Sequence, residues 1–305
     1  MTVIHANLDA EARWVHRTLP QAIATRASYY AALSAALADD ASEVWTPMPI
    51  DAARLRSDPA WTIPTLRHGT PPHADLVWAD PAGKAANDRR LALRVATEIG
   101  AALPGTHVIE HVDQLVLAGP WVAKAPWTTA GRDRCIGAGV PTTEQRTRLS
   151  RLLHTFGALV VEPWCERLLD LGVCGRVRGD ATIEVSPPHG LVTDARGTFL
   201  GIDLSPPALS DAEREMLQRT TTAAGTAIAA LGHRGAFAID AFVYRDVTGT
   251  RTLHPLCEIN ARHTFGTIAR ALGRRGVTQL GFSTPPPHAR LLIAPADDGV
   301  VAWVT

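Results

Sequence analysis

The stretch CEINAR, residues 257–262, most constrains what this chain can fold into. In a β-strand, side chains two residues apart point to the same face, so Glu258, Asn260 and Arg262 are predicted to share one face. The alternate residues are predicted to point into a core: Cys257, Ile259 and Ala261. Carboxylate and amide groups are costly to bury without partners. The pattern therefore predicts a strand whose polar face meets a ligand.

A second strand is predicted to pair with this one. The stretch GAFAIDAFVYRD comes before it, and the two are joined by the short, glycine-containing turn VTGT, which is typical of a hairpin. Asp240 would then lie near Glu258 and Asn260. Two carboxylates and an amide oxygen are the ligands that Mg²⁺ prefers. A surface hairpin with solvated acidic side chains is the alternative, and the hairpin alone leaves both open.

Lys124 lies inside the apolar stretch WVAKAP. A lysine in such surroundings pairs with an anion, or its pKa falls. The alternative is an edge strand from which the ammonium group reaches water. The polar segment that follows contains backbone N–H groups that could cover phosphates. Its candidate residues are Thr128, Thr129 and Gly131.

A third feature is the apolar strand LVVEPWCER, which ends at Glu162 and Trp164. Backbone groups at such a strand end can read an adenine edge, and a core strand before a proline turn is the alternative. The sequence contains no GxxxxGK[ST] phosphate loop and no complete dinucleotide fingerprint. It also contains no GxSxG, HExxH or protein-kinase motifs.

Length and composition limit the class of protein. A chain of 305 residues exceeds the usual size of a single core, so two or three subdomains are expected. The formal net charge is zero, which argues against nucleic-acid and membrane partners. No signal peptide and no apolar run of about 18 residues is present. The scattered cysteines favour a cytoplasmic location: Cys135, Cys165, Cys174 and Cys257.

Capping residues predict the starts of three helices. Asn87 or Asp88 precedes the first, Thr142 or Thr143 the second, and Ser210 the third, where Glu213 has capping-box spacing. A short strand at Leu76 to Ala79 precedes the first of these helices. Strand followed by helix is typical of a layered α/β domain.

Taken in order, these features resemble the ATP-grasp superfamily over roughly residues 85 to 270, most closely its carboxylate–amine ligases. The resemblance is carried by VAKAPWTTAGRDR, by EPWCER and by the DAF and EINAR pair. It implies an α/β (α+β) fold in which an N-terminal layered α/β domain precedes two α+β subdomains that sandwich the nucleotide. The expected boundaries are 1–106 for the N-terminal domain, 107–162 for the small lid subdomain and 163–305 for the catalytic subdomain.

The resemblance also implies roles for individual residues. Lys124 matches the lid lysine that contacts ATP phosphates, and 128–132 matches the glycine-rich loop. Arg262 matches the arginine that faces the transferred phosphoryl group. The remaining matches are the hinge that reads adenine (Glu162, Trp164, Cys165), a ribose acid (Asp170, or else Glu166) and the magnesium ligands (Asp240, Glu258, Asn260).

This chain departs from the family pattern at two positions. Many members have a second lysine in a DK context, where this chain has NDRR, so Arg89 stands in or the contact is absent. An arginine is frequent two residues before the first metal acid, where this chain has Ala238. Both departures concern phosphate contacts and leave the predicted metal ligands unchanged.

The implied activity is ATP-dependent carboxylate–amine ligation through an acyl phosphate, with ATP and Mg²⁺, or Mn²⁺, as cofactors. The alternatives are an ATP-grasp kinase, another ATP-dependent acyl transferase, or a non-catalytic nucleotide-binding module. Substrates would be a small carboxylic acid and an amine, such as an amino acid or small peptide, and related ligases are often homodimers. Candidate substrate residues are His263, Thr264 and Arg89.

Overall fold

The structure is a computed structural model that describes residues 1–39, 42–116, 118–127, 133–194 and 197–305. It is a mixed α/β fold. Its strands, numbered along the chain, are β1 (Thr2–His5), β2 (Ser42–Thr46), β3 (Thr65–His68), β4 (Leu76–Val77), β5 (His107–Ile109), β6 (Pro120–Lys124), β7 (Arg134–Ala138), β8 (Leu159–Pro163), β9 (Glu166–Val177), β10 (Ile183–Val185), β11 (His189–Thr193), β12 (Phe199–Asp203), β13 (Gly235–Arg245), β14 (Arg251–Asn260), β15 (Gln279–Gly281), β16 (Arg290–Ile293) and β17 (Ala302–Val304). Its α-helices are α1 (Ala10–Trp14), α2 (Gln21–Ala32), α3 (Arg89–Glu98), α4 (Thr143–Phe156), α5 (Asp211–Ala230) and α6 (Phe265–Gly273).

The chain forms two compact units, each assembled from separate stretches. The first unit comprises Met1–Gly83, Pro187–Ala208 and Arg262–Thr305. The second unit comprises Lys84–Ser186 and Leu209–Ala261. Among the described residues, no helix is both long enough and apolar enough to cross a membrane.

The first unit contains a parallel sheet of order β3-β2-β1-β4. Ile4 on β1 and Val44 on β2 are fully buried, as β-branched residues in an inner strand pair commonly are. The same unit contains antiparallel strands in the order β11-β12-β15-β17-β16. Helix α6 packs against β12, β15 and the short 3₁₀ segment Leu33–Leu37.

The second unit contains two sets of antiparallel strands. One has the order β14-β13-β9-β10, and the other has the order β5-β8-β6-β7. Helices α3 and α5 cover one face of the first sheet, and α4 packs on β7 and β8. The main core lies under α3 and α5, where Leu91, Leu217 and Ile228 meet Phe237 and Ile239.

The predicted hairpin is β13 and β14. Asp240 lies opposite Glu258, and Ala238 lies opposite Asn260. Closer to the turn the register shifts, because Phe242 lies opposite His254. Strand β14 therefore contributes three residues where β13 contributes only Ala241, which is a β-bulge: Pro255, Leu256 and Cys257.

The bulge corrects one prediction from the alternation. Ile259 and Ala261 point into the core under α3 and α5, as predicted. Cys257 does not, because it packs against Phe242 and Tyr244, which alternate with the core residues of β13 and so lie on the other face. The extra residues of the bulge place Cys257 on that face.

Where the sequence offered two candidate N-caps for a helix, the structure shows which residue is the cap. Asp88 accepts a hydrogen bond from Arg90 N, and Thr142 accepts one from Gln145 N. Ser210 and Glu213 form the predicted capping box. Gly157 ends α4 at a φ of 77°, in the left-handed region that favours glycine. These local signals set where each helix begins and ends.

Candidate nucleotide and metal site

The polar face of the hairpin carries the three predicted metal ligands. Asp240 and Glu258 are direct cross-strand neighbours. Asn260 is buried, and its Nδ2 lies 3.5 Å from Asp240 Oδ2. Three oxygen-bearing side chains thus share one face of two paired strands.

Arg89 lies against this face. Its Nη2 donates to Glu258 Oε1 at 2.9 Å, and its Nη1 donates to the backbone oxygen of Ala125 at 2.6 Å. The Arg89 side chain is buried, and its backbone N–H donates to Pro126 O. Because Ala125 follows Lys124, Arg89 links the hairpin to the end of β6.

The donor set suits Mg²⁺. The donor set is two carboxylates and an amide oxygen. Among the described residues, no group of three or more His, Cys, Asp or Glu side chains is placed to hold a metal. Mg²⁺ commonly takes one or two carboxylates and fills its other positions with water and phosphate oxygens. The hydrogen bond from the Arg89 guanidinium to Glu258 Oε1 offsets part of the negative charge of the two carboxylates, Asp240 and Glu258.

Lys124 pairs with Glu162. The Lys124 ammonium lies 2.5 Å from Glu162 Oε2, and both side chains are largely buried. The two residues come from the neighbouring strands β6 and β8. Burial alone would raise the pKa of Glu162, but the charge and hydrogen bond of Lys124 hold that pKa below its usual value. The anion that the sequence requires of Lys124 is therefore Glu162.

Arg167, which the sequence did not single out, lies beside the predicted ribose acid Asp170. Its guanidinium lies 4.1 Å from the centre of the Phe242 ring, and its Nη1 donates to Asp170 Oδ1 at 2.7 Å. Burial lowers and the neighbouring Cys257 and Asp170 raise the pKa of Arg167, with a net rise. In the sequence, the only feature that marks Arg167 is its position between the two candidate ribose acids, Glu166 and Asp170.

The two candidate ribose acids differ in their surroundings. Asp170 lies opposite Phe242 in the β9–β13 register, and Gly172 lies opposite Asp240, so Asp170 shares the face that carries the predicted metal ligands. Glu166 is exposed at the start of β9. Trp164, of the predicted hinge, lies with its ring centre 6.0 Å from the Arg167 guanidinium carbon.

Two titratable groups beside Glu162 are uncharged at neutral pH: His254, which is buried, and Cys257, which is partly buried. A small internal cavity is lined by Arg89, Leu103, Glu162, His254 and Cys257. Burial lowers the pKa of His254 to about 4 and raises the pKa of Cys257 to about 12. Burial also raises the pKa of Cys165, which packs with Cys257 on the Phe242 cluster. These thiols act as small apolar groups, since the thiolate is the nucleophilic form.

The residues from Arg262 onward belong to the first unit. Strand β14 ends at Asn260, so the alternation does not extend to Arg262. Both Nε and Nη2 of Arg262 donate to Glu11 Oε1, at 3.0 and 2.8 Å. His263 N donates to Trp78 O, and Thr264 is the N-cap of α6.

The predicted phosphate-covering residues lie outside the described residues: Thr128, Thr129, Gly131 and Arg132. Trp127, immediately before them, is held firmly. Its indole N–H donates to Lys84 O at 2.8 Å, and the Lys84 ammonium lies 4.4 Å from the ring centre. Trp127 is therefore anchored to the chain before α3.

Comparison with solved structures identifies the fold. The N5-carboxyaminoimidazole ribonucleotide synthetase from Thermus thermophilus matches with a TM-score of 0.56 and 13% identity, over 99% of this chain and 92% of that one. Biotin carboxylase from Campylobacter jejuni, in its β-γ-ATP complex, matches with a TM-score of 0.55 and 12% identity, over 99% of this chain and 86% of that one. The N5-carboxyaminoimidazole synthetase from Staphylococcus aureus matches with a TM-score of 0.55 and 9% identity, over 100% of this chain and 93% of that one.

No family model matches the sequence, and no curated protein matches it. The structural matches nevertheless span nearly the whole chain. The chain therefore has the ATP-grasp fold that the sequence motifs predicted.

Proposed function

We propose that this chain is an ATP-dependent ligase that joins a carboxylic acid to an amine through an acyl phosphate, with release of ADP and phosphate. The observation that carries the proposal is the shared polar face of Asp240, Glu258 and Asn260, in the unit that also holds the Lys124–Glu162 pair. The fold is the one that the matched ligases share.

In the proposed reaction, a substrate carboxylate attacks the γ-phosphate of ATP, and the amine then displaces phosphate from the acyl phosphate. Asp240, Glu258 and Asn260 would hold Mg²⁺, which when bound neutralises phosphate charge. Lys124 contacts the phosphates by exchanging or sharing its bond with Glu162. Arg262 faces the transferred phosphoryl group.

The other roles concern binding. Glu162, Trp164 and Cys165 read adenine, and Asp170, or else Glu166, holds the ribose. The segment 128–132 covers the phosphates and keeps water from the acyl phosphate. His263, Thr264 and Arg89 contribute to substrate binding.

The wider assignments are part of the same proposal. They are a lid subdomain at 107–162 between domains 1–106 and 163–305, a cytoplasmic enzyme, small-molecule substrates and a homodimer. The kinase alternative differs from the ligase in its product. A kinase would release a stable phosphorylated product, whereas a ligase without its amine yields a hydroxamate when hydroxylamine is supplied.

The test of activity is ADP release by wild type and by Glu258→Gln, with a panel of carboxylic acids and hydroxylamine. The exchange removes a charge from the metal face, so we expect ADP release to fall by about 10²–10³-fold. Glu215→Gln, on the exposed surface of α5, is the matched control and should retain full activity. Equal ADP release by wild type and Glu258→Gln would refute the proposed site.

The test of binding is thermal unfolding with and without Mg·ATP. A ligand that binds only the folded state at a hundredfold excess over its Kd stabilises the protein by about 2.7 kcal/mol. We expect this shift in wild type and a much smaller one in Lys124→Ala, each measured against its own ligand-free midpoint. A non-catalytic module would show the shift in its unfolding midpoint without releasing ADP. If wild type shows no shift with Mg·ATP, the proposed nucleotide site is refuted.

A further inference from the structure

Five aromatic side chains form a cluster in the first unit, which we call the aromatic patch: Tyr30, Trp78, Phe199, Phe265 and Phe282. Phe265 is its centre. The Phe265 ring centre lies 4.8 Å from that of Phe282, 5.7 Å from that of Trp78 and 6.0 Å from those of Tyr30 and Phe199. Each spacing is within the range of favourable ring–ring contacts.

The patch is only partly covered. Trp78 is buried, but Phe199 is 36% exposed, and Tyr30, Phe265 and Phe282 are half-buried. Phe237 and Phe242 in the second unit, by contrast, are almost completely buried. A contiguous group of partly exposed rings is typical of a surface that receives an apolar ligand.

A buried charge pair lies close to the patch along the chain. Arg262 precedes Phe265 by three residues, so their backbones are at most about 11 Å apart. The Arg262 guanidinium contacts Glu11, and both side chains are largely buried. His263 connects the two features, because its backbone N–H donates to Trp78 O and its ring centre lies 6.3 Å from that of Trp78.

We propose that the carboxylic acid substrate carries an aromatic side chain that packs on the aromatic patch, with its carboxylate directed toward Arg262. The inference rests on the proposed function for the role of Arg262. The rings supply mostly apolar contact area, and the Tyr30 hydroxyl is hydrogen-bonded to the backbone of Val301, so the patch favours an aromatic side chain over a small or polar one. The guanidinium supplies the cation that a carboxylate needs.

Direct binding tests this without catalysis. Titration calorimetry on the full chain, without nucleotide, would compare L-phenylalanine with L-alanine. Pockets discriminate by about 10–200-fold for each methylene-sized apolar group, so we expect at least tenfold tighter binding of L-phenylalanine. A third ligand, 3-phenylpropionate, lacks the amine, and similar binding of it shows that the ring and the carboxylate suffice.

Variants locate the binding. Phe199→Ala changes an exposed ring, and Phe265→Leu keeps an apolar side chain at the centre of the patch. Both should reduce the preference for L-phenylalanine over L-alanine by about tenfold or more. The matched control is Leu231→Ala, since Leu231 is 50% exposed at the end of α5 in the second unit, and it should leave the preference unchanged.

The outcomes separate this inference from the proposed function. Equal binding of the two amino acids to wild type, or a preference that survives both patch variants, overturns the inference. If Mg·ATP still stabilises the protein and small acids support ADP release, the proposed function stands without it. If L-phenylalanine binds at the patch but Mg·ATP gives no shift, the proposed function fails and the patch remains a binding site.

Discussion

Lys124 and Glu162 form a largely buried ion pair in the second unit. Taking two charges out of water costs several kcal/mol for each ion, and their attraction repays this only when the contact is good. Because the contact is 2.5 Å, each charge is compensated as long as the other is present. A phosphate that attracts Lys124 must therefore compete with Glu162 or be bridged to it.

At the scale of one residue, Lys124→Met should destabilise the protein by about 3–5 kcal/mol, because it leaves the Glu162 carboxylate buried and unpaired. The double variant Lys124→Met/Glu162→Gln removes both charges and should recover most of that loss. Urea unfolding at pH 7 measures both. Glu162→Gln is the second single variant of the cycle. If the double variant loses as much stability as the two single variants together, the pair is not coupled.

At the scale of one element, Asn87 fixes the end of β14, the strand that carries the proposed ligands Glu258 and Asn260. Ala261 N donates to Asn87 Oδ1 at 2.9 Å, and Asn87 Nδ2 lies 3.5 Å from Ala261 O. Asn87 is buried, and it immediately precedes Asp88, the N-cap of α3. The position of Asn260, the last residue of β14, thus depends on a side chain that is distant in sequence.

Asn87→Ala should cost about 1–3 kcal/mol in the free energy of unfolding, because buried backbone groups at Ala261 lose their partner. It should also reduce the thermal shift produced by Mg·ATP, since Asn260 is then less well positioned. Ser210→Ala is the control, as it removes the N-cap of α5 at a cost of about 0.5–2 kcal/mol. If both variants keep the full Mg·ATP shift, Asn87 has only a structural role.

The sequence could predict those features that are set by residues close together in the chain, and it could not predict those that depend on distant residues. Helix starts, the hairpin and the shared face of Glu258 and Asn260 follow from residues within a few positions of each other, and the structure contains them. The bulge that turns Cys257 follows from strand register, which the alternation alone does not specify. The partner of Arg262 is Glu11, and no local pattern connects them.

At the scale of the whole molecule, each unit buries a histidine that stays neutral. Burial lowers the pKa of His189 in the first unit and of His254 in the second, each to about 4. Arg270 lowers the first further, whereas Glu162 opposes the shift of the second. Below their ordinary pKa of 6.5 these side chains take up protons in the unfolded chain but not in the folded one.

Stability from these two groups should therefore be complete above pH 6.5 and fall as the pH drops from 6.5 toward 4. Each histidine contributes about 1.4 kcal/mol per pH unit within that window. The double variant His189→Asn/His254→Asn should flatten the dependence, and exposed His288→Asn should not. Urea unfolding at pH 7 and pH 5 measures this, and an unchanged slope in the double variant would contradict the assignment.

The three-part construction of the first unit has a consequence for biosynthesis. Its parallel sheet is complete at Val77, but α6 and β15 to β17 leave the ribosome only after all of the second unit. At about 5–20 residues per second, the early strands wait on the order of ten seconds or more for those partners. We expect the second unit to fold first. The N-terminal strands should need chaperone protection until α6 and β15 to β17 have been synthesised.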